Sequence, residues 1–313
     1  MPHRCALLAL FLLPALAACK RAPPAPALDP ARASAVLLDR FETVVHVRAG
    51  LVPPEQQQGE PVALDVLRDR LGELPWAVEA ARGDARALLA ASATVLLGAR
   101  DFRAPGGERA LGPVRSVRCF VLVLRPGEAV DPGGWGGAKR APGAAALWRW
   151  APSRELPGDP ELAYFAAAGP GFLVVGNDAA ETGATAAALA GAGPADALAR
   201  LERLDLAGRS AWAYRNYRPA QDPAAAGVQL VPPWATALAF LPDEEKPLIT
   251  VRLVGDAGAG EPGEELANLL RVPRLSLHAP GVWEARVSLG ANGDEAAERL
   301  FRLEGLLGFA TYL

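Results

Sequence analysis

The sequence has few of the residues that build nucleophilic and metal sites. Its 313 residues include only three cysteines and three histidines. Beyond residue 20 the histidines are His46 and His278, which stand far apart in strand-like apolar runs. A zinc site needs three or four clustered ligands, and a serine nucleophile needs a histidine placed to take its proton. We therefore identify no catalytic residue, no metal site and no cofactor, which favours a non-enzymatic protein and leaves that choice open.

The sequence also lacks a strong excess of charge and a transmembrane segment near its start. The formal net charge is −3, so no basic surface for nucleic acid is expected. The apolar run at residues 5–18 is interrupted by Pro14 and is shorter than the roughly 20 residues that span a bilayer core. Because Arg4 precedes it, this run is typical of a secretory signal peptide.

The end of this run carries the most specific motif of the chain, Leu16-Ala17-Ala18-Cys19. It resembles the lipobox of bacterial lipoproteins, in which a leucine and two small residues precede a cysteine. The resemblance implies that residues 1–18 are a signal peptide that is removed, and that the Cys19 thiol carries a diacylglyceryl group. Lys20 follows instead of the aspartate that retains such proteins in the inner membrane of enteric bacteria. We therefore expect a lipid anchor in the outer membrane, with the protein facing the periplasm.

A spacer is predicted between the lipidated cysteine and the folded region. Residues 20–34 contain four prolines, and proline-rich segments favour the extended polyproline II conformation. We assign residues 19–34 to the lipidated cysteine and its tether, and we expect the fold to begin near Ser34 or Ala35.

Two segments of the chain recur in the same order, which predicts an internal duplication. Residues 98–103 match residues 213–218 at an offset of 115, and both arginines of the pattern are identical. Further on, residues 169–178 and 279–294 each contain a Pro-Gly turn, an apolar run and a predicted helix start. We therefore predict two similar halves, residues 35–195 and 196–313.

The patterning of the whole chain predicts an α+β fold, with antiparallel strands in both halves and helices packed on one face. Strands are expected at residues 43–47 and 117–124, where Cys119 is a buried core residue. Residues 248–254 alternate and predict a half-exposed strand. Helices are expected at residues 62–71, 83–91, 261–270 and 298–313, and loops at residues 125–145 and 219–233.

The repeated hexamer supplies the candidate binding site. Arginine forks match the geometry of carboxylates and phosphates, so arginines from both halves could face one anion-binding groove. The candidate ligands are Arg100, Arg215, Arg103 and Arg218, and the candidate lining residues are Phe102, Tyr214 and Tyr217. The alternative is that these arginines form structural pairs with Asp101 and nearby carbonyl groups.

Three functions are consistent with this reading. The leading hypothesis is a membrane-anchored envelope lipoprotein that binds a small molecule or a protein without catalysis. The second is an envelope hydrolase that uses carboxylates from Asp101 or from the acidic turn of Asp243, Glu244 and Glu245. The third is an inhibitor or immunity-type lipoprotein that binds a partner protein.

Overall fold

An antiparallel sheet organises the chain. The computed structural model describes residues 28–52, 63–103, 114–142, 146–151, 163–191, 194–216, 235–243, 246–255, 264–270, 272 and 274–289. The strands in these residues are β1 Thr43–Arg48, β2 Ser92–Arg103, β3 Val114–Leu124, β4 Lys139–Arg140, β5 Trp148–Trp150, β6 Tyr164–Gly169, β7 Phe172–Gly176, β8 Ala211–Asn216, β9 Ala235–Pro242, β10 Leu248–Gly255, β11 Ser276–Ala279 and β12 Val282–Ser288. The helices are α1 Pro30–Arg40, α2 Asp65–Leu71, α3 Glu73–Ala80, α4 Ala85–Ala91, α5 Ala179–Ala190, α6 Ala195–Arg203 and α7 Glu264–Leu270.

The strand order confirms the predicted α+β class. In the described residues the twelve strands form one sheet in the order β11-β12-β10-β9-β8-β1-β2-β3-β7-β6-β5-β4. The neighbouring strands pair in antiparallel fashion throughout. Strand β1 lies inside the sheet, between β2 and β8. It therefore joins strands from both of the predicted halves.

Helices cover both faces of the sheet, so the prediction that they pack on one face is wrong. One core contains buried residues of α1, α5 and α6, whereas the other contains residues of α2, α3, α4 and α7. Strand β3 shows the reason, because Val121 belongs to the first core and its neighbours Phe120 and Leu122 belong to the second. A strand that is apolar on both sides needs a cover on both sides.

Strand β10 is also buried on both faces, contrary to the half-exposed strand that its alternation predicted. Arg252, at one of the polar positions, is only 4% exposed. Its Nε atom donates to Glu284 Oε2 at 2.9 Å, and its Nη1 atom donates to the Leu204 carbonyl oxygen. The position of Arg252 in the alternating pattern predicted that its side chain would face solvent. Instead, Glu284 on a neighbouring strand and the Leu204 carbonyl oxygen take the place of water.

The repeated segments occupy similar positions in the sheet only in part. Strand β2 contains residues 98–103, strand β8 contains residues 213–216 of the second hexamer, and the two strands flank β1 on either side. The Pro-Gly segments form the turns of the hairpins β6–β7 and β11–β12, with positive φ at Gly171 and Gly281. The similarity ends there, because β7 pairs with β3 whereas β12 pairs with β10. The duplication stays a prediction.

The fold begins earlier than the sequence suggested. Helix α1 starts at Pro30, where Asp29 accepts a hydrogen bond from the Ala31 amide at 2.9 Å. Residues 30–34, predicted as tether, are therefore helical. Residues 1–27, with Cys19, and the predicted elements at 219–233 and 298–313 lie outside the described residues. Within the part that is described, no helix is both long and apolar enough to cross a membrane.

Candidate functional site

Arg100, the first candidate anion ligand, is held by an acidic side chain of the protein itself. Its Nη2 atom lies 2.8 Å from Oε2 of Glu181, a carboxylate whose side chain is 8% exposed. Arg40 binds the other oxygen, Oε1, through Nε at 2.8 Å and Nη2 at 2.5 Å. This cluster joins the last turn of α1, strand β2 and the first turn of α5. The carboxylate near the start of α5 and the guanidinium at the end of α1 both match the dipoles of their helices.

The structure does not bring Arg100 and Arg215 into one groove. Thr43 of β1 lies opposite both Ala99 and Arg215, and residues opposite each other in adjacent strands point to the same face. Because neighbours along a strand alternate, Arg100 points to the other face of the sheet. The sequence match aligns Arg100 with Arg215, but the pairing with β1 aligns Ala99 with Arg215. This shift of one residue separates the two guanidinium groups.

Of the remaining candidate residues, only Tyr214 has a side chain that the structure describes. Tyr214 is 2% exposed in the core that contains α1, and its hydroxyl donates to Asn216 Oδ1 at 3.0 Å. Phe102 and Arg103 belong to β2, but their side chains lie outside the described part of the structure. Tyr217 and Arg218 follow β8 and also lie outside it.

A different cleft lies between the start of α1, strands β1 and β8, and the turn after α6. It has a volume of about 260 Å³. The residues that line it include His46, Trp212, Arg48, Asp29 and Arg209. We call it the His46 cleft. It forms because His46 and Arg48 alternate along β1 on the face that α1 and α6 only partly cover.

The imidazole of His46 is fixed on two sides. Its Nδ1 atom lies 3.2 Å from Ser34 Oγ, and its ring stacks on Trp212 with centroids 5.1 Å apart and planes at 19°. The Ser34 hydroxyl donates its proton to the Pro30 carbonyl oxygen at 2.9 Å, so its oxygen accepts from Nδ1–H. This assignment leaves Nε2 with its lone pair, and Nε2 has no hydrogen-bond partner among the residues that the structure describes.

Burial and the nearby positive charge of Arg48 lower the pKa of His46 to about 4. The ring is therefore neutral at pH 7, and Nε2 acts as a hydrogen-bond acceptor. Arg48 itself is exposed. Arg209 is bound to the carboxylate and the carbonyl oxygen of Asp205. The lining of the cleft thus combines one neutral acceptor with the positive charge of Arg48, the Arg209–Asp205 ion pair and the carboxylate of Asp29.

Ser34 and His46 are adjacent but do not form a nucleophilic pair. Ser34 is 1% exposed, so a substrate cannot reach its oxygen. Its proton is already donated to a backbone carbonyl group, and a base with a pKa of about 4 is weak at neutral pH.

Other polar clusters in the described residues are structural. His278 lies 3.4 Å from Glu284, the partner of buried Arg252. Asp243 Oδ1 accepts from the Lys246 amide at 3.0 Å, as a turn residue does, and Glu244 and Glu245 lie outside the description. Burial raises the pKa of the Cys119 thiol to about 12, and its predicted burial is confirmed. Within the described ranges, no three His, Cys, Asp or Glu residues are grouped as metal ligands would be.

The His46 cleft was not predicted from the sequence, where His46 stands in a strand-like apolar run. The available signal was weak: two polar residues, His46 and Arg48, alternate in an otherwise apolar strand. Nothing in the spacing indicated that Ser34 or Trp212 would pack against the ring, because both contacts join distant segments.

Comparisons with known proteins leave the chain without a family. No protein-family model and no curated protein matches it. Among solved structures, crystal form III of TP0453 is similar with a TM-score of 0.41 and 8% identity, over 82% of this chain and 93% of that one. Crystal form I of TP0453 gives a TM-score of 0.41 and 9% identity, over 88% and 97%. Similarity at this level supports no conclusion about function.

Proposed function

We propose that this protein is a lipid-anchored lipoprotein of the bacterial envelope that binds a small polar ligand in the His46 cleft without converting it. One observation carries the binding part of this proposal. The His46 imidazole, which contacts Ser34 through Nδ1 and stacks on Trp212, lines a cleft and keeps the lone pair of Nε2 free of protein partners in the described residues. In the described residues the Nε2 atom is not among the fully buried polar atoms that lack a partner, so water reaches it from the cleft, and a ligand donor can take the place of that water.

The surroundings of His46 define the ligand class. A neutral Nε2 acceptor requires a hydroxyl or amino donor on the ligand. Arg48, whose charge acts on His46, would attract an anionic group. The volume of about 260 Å³ is below the range of about 300–1,000 Å³ that is usual for drug-sized ligands. A small hydroxy- or amino-carboxylate meets all three conditions.

The anchor places the cleft near a membrane in this proposal. Asp29 and Pro30 line the cleft, and they lie at the start of the described fold, within the segment 19–34 that the sequence predicted as tether. The segment from Cys19 to Asp29 would span about 30 Å if it is extended in polyproline II. The protein would then bind its ligand close to the membrane surface, on the periplasmic side of the outer membrane.

Titration with small carboxylates tests the ligand class. Histidine resonances of the labelled protein are followed by NMR while L-malate, L-serine or succinate is added. Malate differs from succinate by one hydroxyl group, and a site that bonds this group discriminates against the analogue without it. We expect malate or serine to shift His46 at lower concentration than succinate does. Arg48→Gln should weaken the effect, whereas Arg86→Gln, on the exposed side of α4, should not.

The absence of any shift at His46 with hydroxy- and amino-carboxylates would contradict the proposed ligand class. Methyl esters and amides of the same acids are incubated with the protein as a separate assay. Their turnover would instead favour the hydrolase that the sequence left open.

Labelling with radioactive palmitate in a bacterial host tests the anchor. The wild-type chain should incorporate label, and Cys19→Ala should lose it. Cys119→Ala is the matched control, because Cys119 is buried and this variant should keep the label. Incorporation of label into the Cys19→Ala variant would refute the lipobox.

A further inference from the structure

A basic cleft lies at the edge of the sheet formed by β4 and β5. It has a volume of about 510 Å³, and Lys139, Arg140 and Arg149 line it together with Trp150. All three cationic residues are exposed. The His46 cleft is separate from it and is lined by β1 and β8 near the middle of the sheet.

Two of these cations are placed directly opposite each other. Lys139 of β4 pairs with Arg149 of β5 in the antiparallel register. Side chains at such positions have Cβ atoms about 4.5–5.5 Å apart, and like charges there are destabilising. Neither residue forms an ion pair or hydrogen bond with another side chain in the described parts of the chain. An anion between them would convert this repulsion into two attractions.

Protection of the sheet edge does not account for the pair. A lysine on an edge strand commonly prevents association with other chains, and this explains Lys139. It does not explain Arg149, because β5 is paired on both sides, with β4 and with β6. The second positive charge is on an inner strand, where it serves no such purpose.

The hairpin is held firmly enough to present both cations. Arg140 lies over the ring of Trp148, with its guanidinium carbon 4.2 Å from the ring centroid. Trp148 in turn packs so closely on Gly133 that a Cβ there would lie 2.5 Å from the ring. The Gly137 amide donates to the Ala81 carbonyl oxygen at 2.9 Å. These contacts hold β4 and the turn before it in place before any ligand binds.

We propose that Lys139 and Arg149 bind a phosphate group, carried either by free phosphate or by a phospholipid headgroup. Arginine offers a planar fork and lysine a compact charge, and both are common ligands of phosphate oxygens. Two adjacent cations match the charge of inorganic phosphate, and they can also share the oxygens of a phosphodiester, which carries one negative charge. Arg140 adds positive charge to the same cleft.

Two probes distinguish the sources of the phosphate group. Inorganic phosphate is titrated into the purified lipoprotein by calorimetry. Vesicles of phosphatidylglycerol and of phosphatidylcholine are sedimented with the chain that lacks residues 1–19, so that neither the acyl anchor nor the apolar signal segment contributes. The test variant is Lys139→Gln/Arg149→Gln. The control, Arg86→Gln/Arg274→Gln, removes the same charge from two other exposed positions.

We expect the test variant to lose at least tenfold in affinity for the probe that binds, and the control to lose less than twofold. Binding of phosphate alone identifies a free anion, and preferential binding of phosphatidylglycerol vesicles alone identifies a headgroup. Equal effects of the two double variants on both probes, or no binding of either probe, would overturn the proposal. In phosphate-free buffer the test variant should unfold at the same or higher urea concentration as the wild type. Marked destabilisation would show instead that the two cations have a structural role.

Discussion

Removing Glu181 tests whether Arg100 stabilises the fold. Its buried carboxylate accepts two bonds from Arg40 and one from Arg100, all between 2.5 and 2.8 Å. The side chains of Arg40 and Arg100 are 26% and 42% exposed. The two arginines therefore differ in how many bonds they donate and in how well water replaces those bonds. The perturbations are Glu181→Gln, Arg40→Gln and Arg100→Gln.

The expected magnitudes follow from this geometry. Hydrogen bonds to charged groups contribute about 1.5–3 kcal/mol, and Arg40→Gln should cost about 2 kcal/mol because both of its bonds are partly screened from water. Exposed ion pairs contribute about 0.2–1 kcal/mol, so Arg100→Gln should cost less than about 1 kcal/mol. Breaking a buried pair costs about 3–5 kcal/mol. Glu181→Gln should cost about 2–3 kcal/mol, because both guanidinium groups can still reach water.

A double-mutant cycle isolates the contact between Arg100 and Glu181. The free energy of unfolding is measured in urea by tryptophan fluorescence for each single variant and for Arg100→Gln in the Glu181→Gln background. In that background Arg100 faces only the positive charge of Arg40, so removing Arg100 should be neutral or stabilising. Arg86→Gln is the control and should behave the same in both backgrounds. An equal cost of Arg100→Gln with and without Glu181 would refute the structural role.

Three further predictions concern the core and the His46 cleft. The pKa of His46 falls from 6.5 to about 4 on folding, so between these pH values the unfolded chain binds a proton that the folded chain excludes, and stability is lost as the pH falls. Between pH 7 and 4.5 the free energy of unfolding of the wild type should fall by about 2 kcal/mol more than that of His46→Gln. An equal dependence of the two unfolding free energies on pH, measured in urea, would contradict this. Gly98→Ala should destabilise by about 1–3 kcal/mol because its Cβ would lie 2.4 Å from the Phe41 ring. Gly183 lies in α5, and a Cβ added there would have no heavy atom within 4 Å, so Gly183→Ala should stabilise the protein by about 0.5–1 kcal/mol because alanine favours a helix more than glycine does. A higher melting temperature for Gly98→Ala than for Gly183→Ala would refute the packing argument. Cys119 is fully buried, so a thiol reagent should label it only in urea, and rapid labelling of the native protein would disprove its burial.

Several elements were predictable because their signals are local. The apolar run around Cys119 indicated a buried strand, and β3 spans Val114–Leu124. Pro-Gly at 170–171 and 280–281 indicated turns, because proline and a glycine with positive φ favour the middle of a tight turn. Helix α5 begins after Asp178, whose carboxylate accepts a hydrogen bond from the Glu181 amide at 2.8 Å, as its sequence position suggested.

The candidate site was not predictable in the same way. The match of Arg100 with Arg215 is a real feature of the sequence, yet it says nothing about register. Strand side chains alternate, so a shift of one residue moves a side chain to the opposite face. The partner of Arg100 was expected in Asp101, and it is Glu181, which lies 81 residues further along the chain.

The sequence by itself determined the α+β class, the core strand around Cys119, the Pro-Gly turns and the scarcity of histidine and cysteine, since these follow from composition and short-range periodicity. It also contains the lipobox-like motif at Cys19, on which the proposed anchor depends. Only the tertiary structure decided that helices cover both faces, that Arg252 is buried and that His46 meets Ser34 and Trp212. The physical reason is that these features depend on which segments pack together. The residue pattern within a segment does not show which distant residues that segment will contact.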